Sequence, residues 1–283
     1  MPPSTDALRL NRVLAGLTDV ASDQVRRHLS AVHLPLGKVL YEPGEKLDSV
    51  YFPTTTIVSL QYELANGACT ELAMVSDEGM VGIALLMGGD TTSWRAVVDG
   101  PGNAFRLNAL TLKEELRRGG ALRDRLLRYT QAQITQMAQT AVCNRRHSID
   151  QQMCRWLAGR LDRKHSCELI ATQELIAARL GVRRESVTSA AASLQKAGII
   201  RYLRGHIFVI NQRGLEERCC ECYAALKREM DRLLQVQRGA QRDSPTYPRP
   251  KFVCIGDAPP NLEDAAPRAP VSTRNVRVQP TIC

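Results

Sequence analysis

Residues 172–200 read TQELIAARLGVRRESVTSAAASLQKAGII, and their spacing leaves few folds open. Thr172 is a good helix N-cap with Glu174 in the first turn behind it. Ala177 stands four residues before Gly181, and Val187 stands six after it. Two helices joined by so tight a turn need that order. The alanine lets the helices approach, the glycine permits the turn, and the later apolar residues hold the second helix on the first. On that second helix Val187, Ala190, Ala191 and Leu194 form the apolar stripe, while Glu185, Ser189, Ala192 and Lys196 point away from it. Arg184, Thr188 and Gln195 flank this outer face. Small residues at 189 and 192 suit a helix that sinks into a DNA major groove, with Arg184, Glu185, Thr188, Ser189 and Gln195 within reach of base edges.

The next residues, AGIIRYLRGHIFVIN, predict two short strands at 199–202 and 207–210 around Arg204-Gly205, a hairpin wing. Arg204 at the tip, Arg183, Lys196 and Thr172 are candidate phosphate contacts. The bland alternative is a two-helix packing unit with an incidental hairpin, and charge speaks against it. The chain of 283 residues carries a formal net charge of +9, and residues 148–213 alone hold 11 basic and 5 acidic side chains. An excess concentrated on one motif is the footprint of a polyanion.

Prolines divide the rest. Six lie at or before Pro101, none lies between 102 and 244, and eight lie in the last 39 residues. The middle is therefore permissive for long helices. Residues 8–31 read as helical. From residue 34 to 107 the runs KVLYEPG, SVYFP, TIVSLQYEL, TELAMV, WRAVV and NAFRL are short, β-rich and bounded by turn residues, which predicts an antiparallel sandwich or roll. A helical pattern then runs from about 110 to 144, in which Leu127, Thr130, Ile134, Met137 and Ala141 mark a two-helix seam. The same stripe could instead pack within its own domain. Residues from about 238 onward, rich in proline and without apolar periodicity, predict a disordered tail. The sequence shows no secretory signal pattern and no apolar run long enough to cross a membrane, which predicts a cytoplasmic protein with thiols rather than disulfides among its nine cysteines.

A β-roll, a long helix and a winged helix-turn-helix carrying GVRRESVT, together with YEPGE at 41–45, VYFP at 50–53 and DEGMVG at 77–82, resemble the Crp/Fnr family of bacterial transcription regulators. The resemblance spans roughly residues 8–235. It implies an α+β chain with a cyclic-nucleotide-binding-like β-roll (1–109), a long dimerisation helix (110–146), a winged helix-turn-helix DNA-binding domain (147–213), a C-terminal helix (214–237) and the tail (238–283). It also implies a homodimer on palindromic double-stranded DNA, with Leu127, Ile134, Met137 and Ala141 at the dimer interface and RNA polymerase as a partner. Carried over by position, Arg184 and Glu185 match the family's base-reading Arg-Glu pair. Ser189 stands where the family often has arginine, which implies a different half-site preference.

The effector pocket departs further from the family. Members that bind cyclic AMP carry Gly-Glu-Leu and then Arg-Ser-Ala or Arg-Thr-Ala, the arginine compensating a buried phosphate. Here the first motif reads Gly82-Ile83-Ala84, and an ungapped match puts Thr92, followed by Ser93, at the arginine position. Arg95 comes three residues later and should face the other side of its strand. The expectation is no cyclic AMP binding, no assigned cofactor and an unknown effector. Tyr62, Met74 and Trp94 are candidate pocket lining or plain core.

No amino-terminal cysteine cluster of the kind that holds an iron–sulfur centre is present; the first cysteine is Cys69. In RCCECY, Cys219 and Cys222 would share a helix face, half a zinc site at most, with Cys143, Cys154, Cys167 or His165 as possible partners. Structural thiols are the simpler reading, and no metal is assigned. His147 reads as structural or as part of a hinge. No Walker loop, nucleophile elbow or histidine metal spacing points to an enzyme. Two other readings stay open: a small-molecule signalling module that has lost DNA recognition, and a thiol or metal sensor.

Overall fold

The computed structural model describes residues 2–17, 19–164 and 167–234. Three short helices open the chain, α1 (Thr5–Leu8), α2 (Arg12–Ala15) and α3 (Asp19–Arg26). Asn11 fixes this start. Its side chain accepts from the backbone N–H groups of Val13 and Leu14, capping α2, and donates to the carbonyls of Pro53 and Gly79.

Seven strands follow: β1 (Ser30–Leu34), β2 (Val39–Tyr41), β3 (Ser49–Pro53), β4 (Ile57–Glu63), β5 (Cys69–Val75), β6 (Arg95–Gly100) and β7 (Gly102–Asn108), with a 3-10 turn at Ile83–Met87. They form two antiparallel sheets, ordered β1-β7-β3 and β2-β6-β4-β5. The six expected strands are all present. β1 is an addition to them, because its stretch reads as the end of a helical region. It forms by pairing with β7 along its whole length, from Ser30 opposite Arg106 to Leu34 opposite Gly102. Val50, Phe52, Val58, Leu60, Val75, Ala96 and Val98 fill the space between the sheets.

The expected single helix from 110 is two, α4 (Ala109–Arg118) and α5 (Ala121–Arg146). The break is the pair Gly119-Gly120, both at positive φ (76° and 90°), where a side chain would be strained. Leu122, Leu126, Tyr129 and Ala132 anchor the start of α5 in the roll's core.

The second unit comprises α6 (Ile149–Lys164), β8 (Glu168–Ile170), α7 (Gln173–Leu180), α8 (Arg184–Lys196), β9 (Ile200–Leu203), β10 (His206–Val209) and α9 (Gln212–Arg218). Its three strands make a small sheet ordered β8-β10-β9. Its core is separate, built on Met153, Trp156, Leu157, Ile176, Val187, Leu194 and Ile207. The chain then turns back. α10 (Glu221–Leu234) lies along α5, and its Met230, Leu233 and Leu234 join the core of the N-terminal unit. Arg125 of α5 ties this return down, donating to the carbonyls of Arg12, Val13 and Leu234.

The two units meet across the outer face of the β2-β6-β4-β5 sheet through buried charges. Arg160 pairs with Glu71 at 3.1 Å and with Asp99, Arg179 reaches Asp99 at 3.3 Å, and Arg163 pairs with Glu78 at 2.6 Å. Ser59 donates to the Glu71 carboxylate at 2.6 Å. Burial pushes the Asp99 carboxyl up, but Arg160 and Arg179 more than offset that and hold it below the ordinary carboxylate value. The disordered tail expected from residue 238 lies outside the described residues.

Candidate nucleic-acid interface

Helix α8 owes its place to the residues read first in the sequence. The Thr172 hydroxyl accepts from Leu175 N–H at the start of α7, and Gly181 ends α7 at φ 66° in the left-handed region. Val187, Ala190, Ala191 and Leu194 are buried against the rest of the unit. That leaves Arg184, Glu185, Thr188, Ser189, Ala192, Gln195 and Lys196 on the outer side. Arg184 rests 3.9 Å from Glu174, an exposed pair that costs little to break, and Thr188 donates to Gln173 at 2.7 Å. Arg183 occupies the N-cap position, and no side chain caps the first turn of α8.

Gln195 has a use that periodicity does not show. Its amide oxygen accepts from the backbone N–H of Tyr202 at 2.9 Å and so fastens the end of α8 to β9. Tyr202 in turn donates from its hydroxyl to the carbonyl of Ala171, just before α7. The wing is thereby locked to both helices. Its turn is Arg204-Gly205, both at positive φ, with Arg204 exposed. Arg201, which the sequence reading leaves out, is exposed on β9 with its guanidinium 5.2 Å from the Phe208 ring. Strand alternation between Ile200 and Tyr202 is the signal that could find it.

The seam residues of α5 divide. Leu127, Ile134 and Ala141 are exposed, and Val142 extends their stripe. Met137 is half-buried against its own domain's core, and Thr130 is buried with its hydroxyl donating to Leu126. These two turn inward because α5 must also cover the roll.

The candidate effector residues do not converge. Gly82 is at φ 106°, and a Cβ there would meet Val50 at 2.9 Å. Ile83 and Thr92 are buried, the Thr92 hydroxyl accepting from Trp94 N–H, and Ser93 is exposed. Arg95 lies on the sheet face opposite Ala96 and pairs with Glu42 at 2.6 Å and Glu63 at 3.7 Å. Tyr62 is exposed, Trp94 packs on the N-terminal core, and Met74 lines a cleft facing α6.

Cys69, Cys143, Cys154, Cys219, Cys220 and Cys222 are free thiols, while Cys167 is disulfide-bonded, against the expectation of thiols throughout. Cys219 and Cys222 are not partners. The Cys219 thiol turns to the carbonyl of Leu215, and Cys222 lies with Cys143 and Cys220 in a small buried cluster beside His147. Burial pushes the thiols of Cys143 and Cys220 up, the latter to about 12 with Cys143 adding to the effect. His165 lies outside the described residues.

Residues 151–218 match the family model of the Crp-like helix-turn-helix domain. A comparison with curated protein sequences returns no match. Among solved structures, a Crp/Fnr family regulator from Eubacterium rectale is similar at 15% identity and TM-score 0.61, covering 74% of this chain and 98% of its own. FixK2 from Bradyrhizobium japonicum is similar at 16% identity and TM-score 0.57, covering 68% and 98%. A CRP/FNR family regulator from Thermus thermophilus is similar at 21% identity and TM-score 0.54, covering 67% and 97%. No helix among the described residues is long and apolar enough to cross a membrane. Residues 151–218 are thus a Crp-like helix-turn-helix domain, and the chain that carries it has the fold of the Crp/Fnr regulators.

Proposed function

We propose that the protein is a homodimer that reads a palindromic DNA site through α8 and regulates transcription by contact with RNA polymerase. The observation that carries this reading is the exposed face of α8, polar and small-residued, backed by α7 and locked to the wing. Arg184, Glu185, Thr188 and Ser189 would meet base edges, and Gln195 would offer only its amide N–H groups, its oxygen being held by Tyr202. Thr172, Arg183, Lys196 and Arg204 would meet phosphates, together with Arg201. The uncapped first turn of α8 adds free N–H groups for an anion. The exposed stripe Leu127, Ile134, Ala141 and Val142 on α5 would pair with its copy, so that two-fold symmetry sets half-sites about one helical turn apart.

The β-roll would sense a signal other than cyclic AMP. Ile83 cannot accept a ribose hydroxyl, and Arg95 is held by Glu42 and Glu63 on the wrong face for a buried phosphate. A structural neighbour from Xanthomonas campestris is described as responsive to c-di-GMP, an effector other than cyclic AMP on a similar fold.

Selection from random duplexes, followed by salt titration of the winner, tests the reading. An enriched palindrome is expected, bound more weakly by Arg184→Ala by about 1–3 kcal/mol. Indifferent binding of every duplex by both proteins, with only a steep salt slope, would leave a basic surface without sequence reading.

A further inference from the structure

Four metal-ligating side chains that the DNA-binding reading does not use come together where α5, α6 and α10 meet. Their ligand atoms, the sulfurs of Cys143, Cys220 and Cys222 and a ring nitrogen of His147, all lie within 4.8 Å of one another. Cys143 Sγ is 3.5 Å from Cys220 Sγ, and Cys222 Sγ is 3.5 Å from His147 Nδ1. A tetrahedral ion with Zn–S bonds of about 2.3 Å requires sulfurs about 3.8 Å apart, so the four atoms already stand close to tetrahedral spacing. The three cysteines are buried and form a cluster of their own, apart from both hydrophobic cores.

The surroundings suit a coordinated ion. His147 turns Nδ1 toward the cluster, and its Nε2 meets the Glu221 carboxylate at 3.2 Å, the carboxylate–histidine arrangement that orients a metal-binding imidazole. Gln139 donates to Cys222 Sγ at 2.9 Å, and the guanidinium of Arg155 lies close enough to Cys143 to favour its thiolate. Three thiolates, a neutral imidazole and Zn2+ would sum to −1, which Arg155 offsets.

We propose that Cys143, His147, Cys220 and Cys222 form a tetrahedral zinc site that clips together the two chain segments leading into and out of the DNA-binding domain. The ligands come from the end of α5 and the start of α10, 75 and 77 residues apart in the facing pairs. Everything between them is the DNA-binding domain. Binding releases three thiol protons to solvent, and the ion then fixes the base on which that domain is mounted. Soft thiolates with one imidazole select zinc over hard divalent cations. The inference stands on the cluster alone and holds whether or not α8 reads a specific site.

The test is metal analysis of the full-length protein purified under reducing conditions. One zinc per chain is expected, with X-ray absorption showing three sulfurs near 2.3 Å and one nitrogen near 2.0 Å, each to about 0.1 Å. After chelation, Co2+ titrated into the wild-type chain should give tetrahedral d–d bands and a thiolate charge-transfer band, saturating at one equivalent. Cys143→Ser and Cys222→Ser should abolish both. Glu221→Gln, which leaves all four ligands, should weaken Co2+ binding by about 10–100-fold; this variant keeps the proposal testable if the cysteine variants fail to fold. A metal-free chain that gives no Co2+ spectrum would overturn the proposal. So would zinc retained by Cys143→Ser, iron in place of zinc, or a Cys143–Cys220 disulfide in the reduced preparation.

Discussion

Gly181 shows how much one residue can be asked to do. Its φ of 66° ends α7, and a Cβ there would meet Thr70 Oγ1 on β5 at 2.9 Å. Gly181→Ala therefore carries two separable costs, the left-handed backbone at roughly 1–2 kcal/mol and the contact with Thr70. Urea unfolding should show a loss of at least that backbone cost. The double variant Gly181→Ala/Thr70→Ala should recover the contact part and leave the backbone part. The turn is legible in the sequence because its determinants, Ala177, Gly181 and Val187, sit within eleven positions of one another. The cysteine–histidine cluster is not. Cys143 and His147 share a helix face at a four-residue step, and Cys220 and Cys222 bracket a single residue, but nothing local says that these pairs meet. Reading Cys219 with Cys222 applies helix spacing across Cys220, whereas α10 begins only at Glu221 and leaves Cys219 outside it.

Elements are legible to the extent that their own residues decide them. β2 to β7 are short, rich in β-branched, aromatic and other apolar residues, and bounded by turn residues, so each can be placed by itself. β1 exists because β7 has an open edge, a fact about a strand roughly seventy residues away. The break between α4 and α5 is in plain view as Gly119-Gly120, but the apolar period on either side masks it. α5 carries the prediction that belongs to this scale. Its roll-facing side is buried while Leu127 (48% exposed), Ile134 (54%) and Val142 (51%) line the other. Contiguous apolar exposure on a long helix marks an association surface. In the proposed dimer, Ile134→Glu would place two like charges across the two-fold seam. Sedimentation should show the variant shifted from dimer to monomer with its thermal unfolding at low concentration little changed, and DNA affinity falling with the dimer. A variant that stays dimeric would place the subunit contact elsewhere.

For the whole molecule, the decisive contact is the charged one between roll and DNA-binding unit. Asp99 is buried between Arg160 and Arg179 and its carboxyl is held below its ordinary 3.8. A carboxylate with a depressed native pKa contributes its stability above the unfolded value and loses it as pH falls through the native one. The clamp should thus be intact from neutral pH down to about 4 and weaken only in stronger acid. At pH 7, Asp99→Asn leaves two guanidinium groups without their shared anion and should cost about 3–5 kcal/mol in urea unfolding. That gap should narrow below about pH 4, where Asp99 of the unfolded chain takes up a proton that the native carboxylate still resists; a gap constant down to about pH 3 would assign the loss to packing. The clamp also bears on how the second unit can move. The chain enters it after Cys143 and leaves it before Cys220, and those two side chains touch. Like a door whose hinge pins share one post, the unit has one edge where the chain enters and leaves, and release of the buried ion pairs would let it swing there with α8 and the wing moving together.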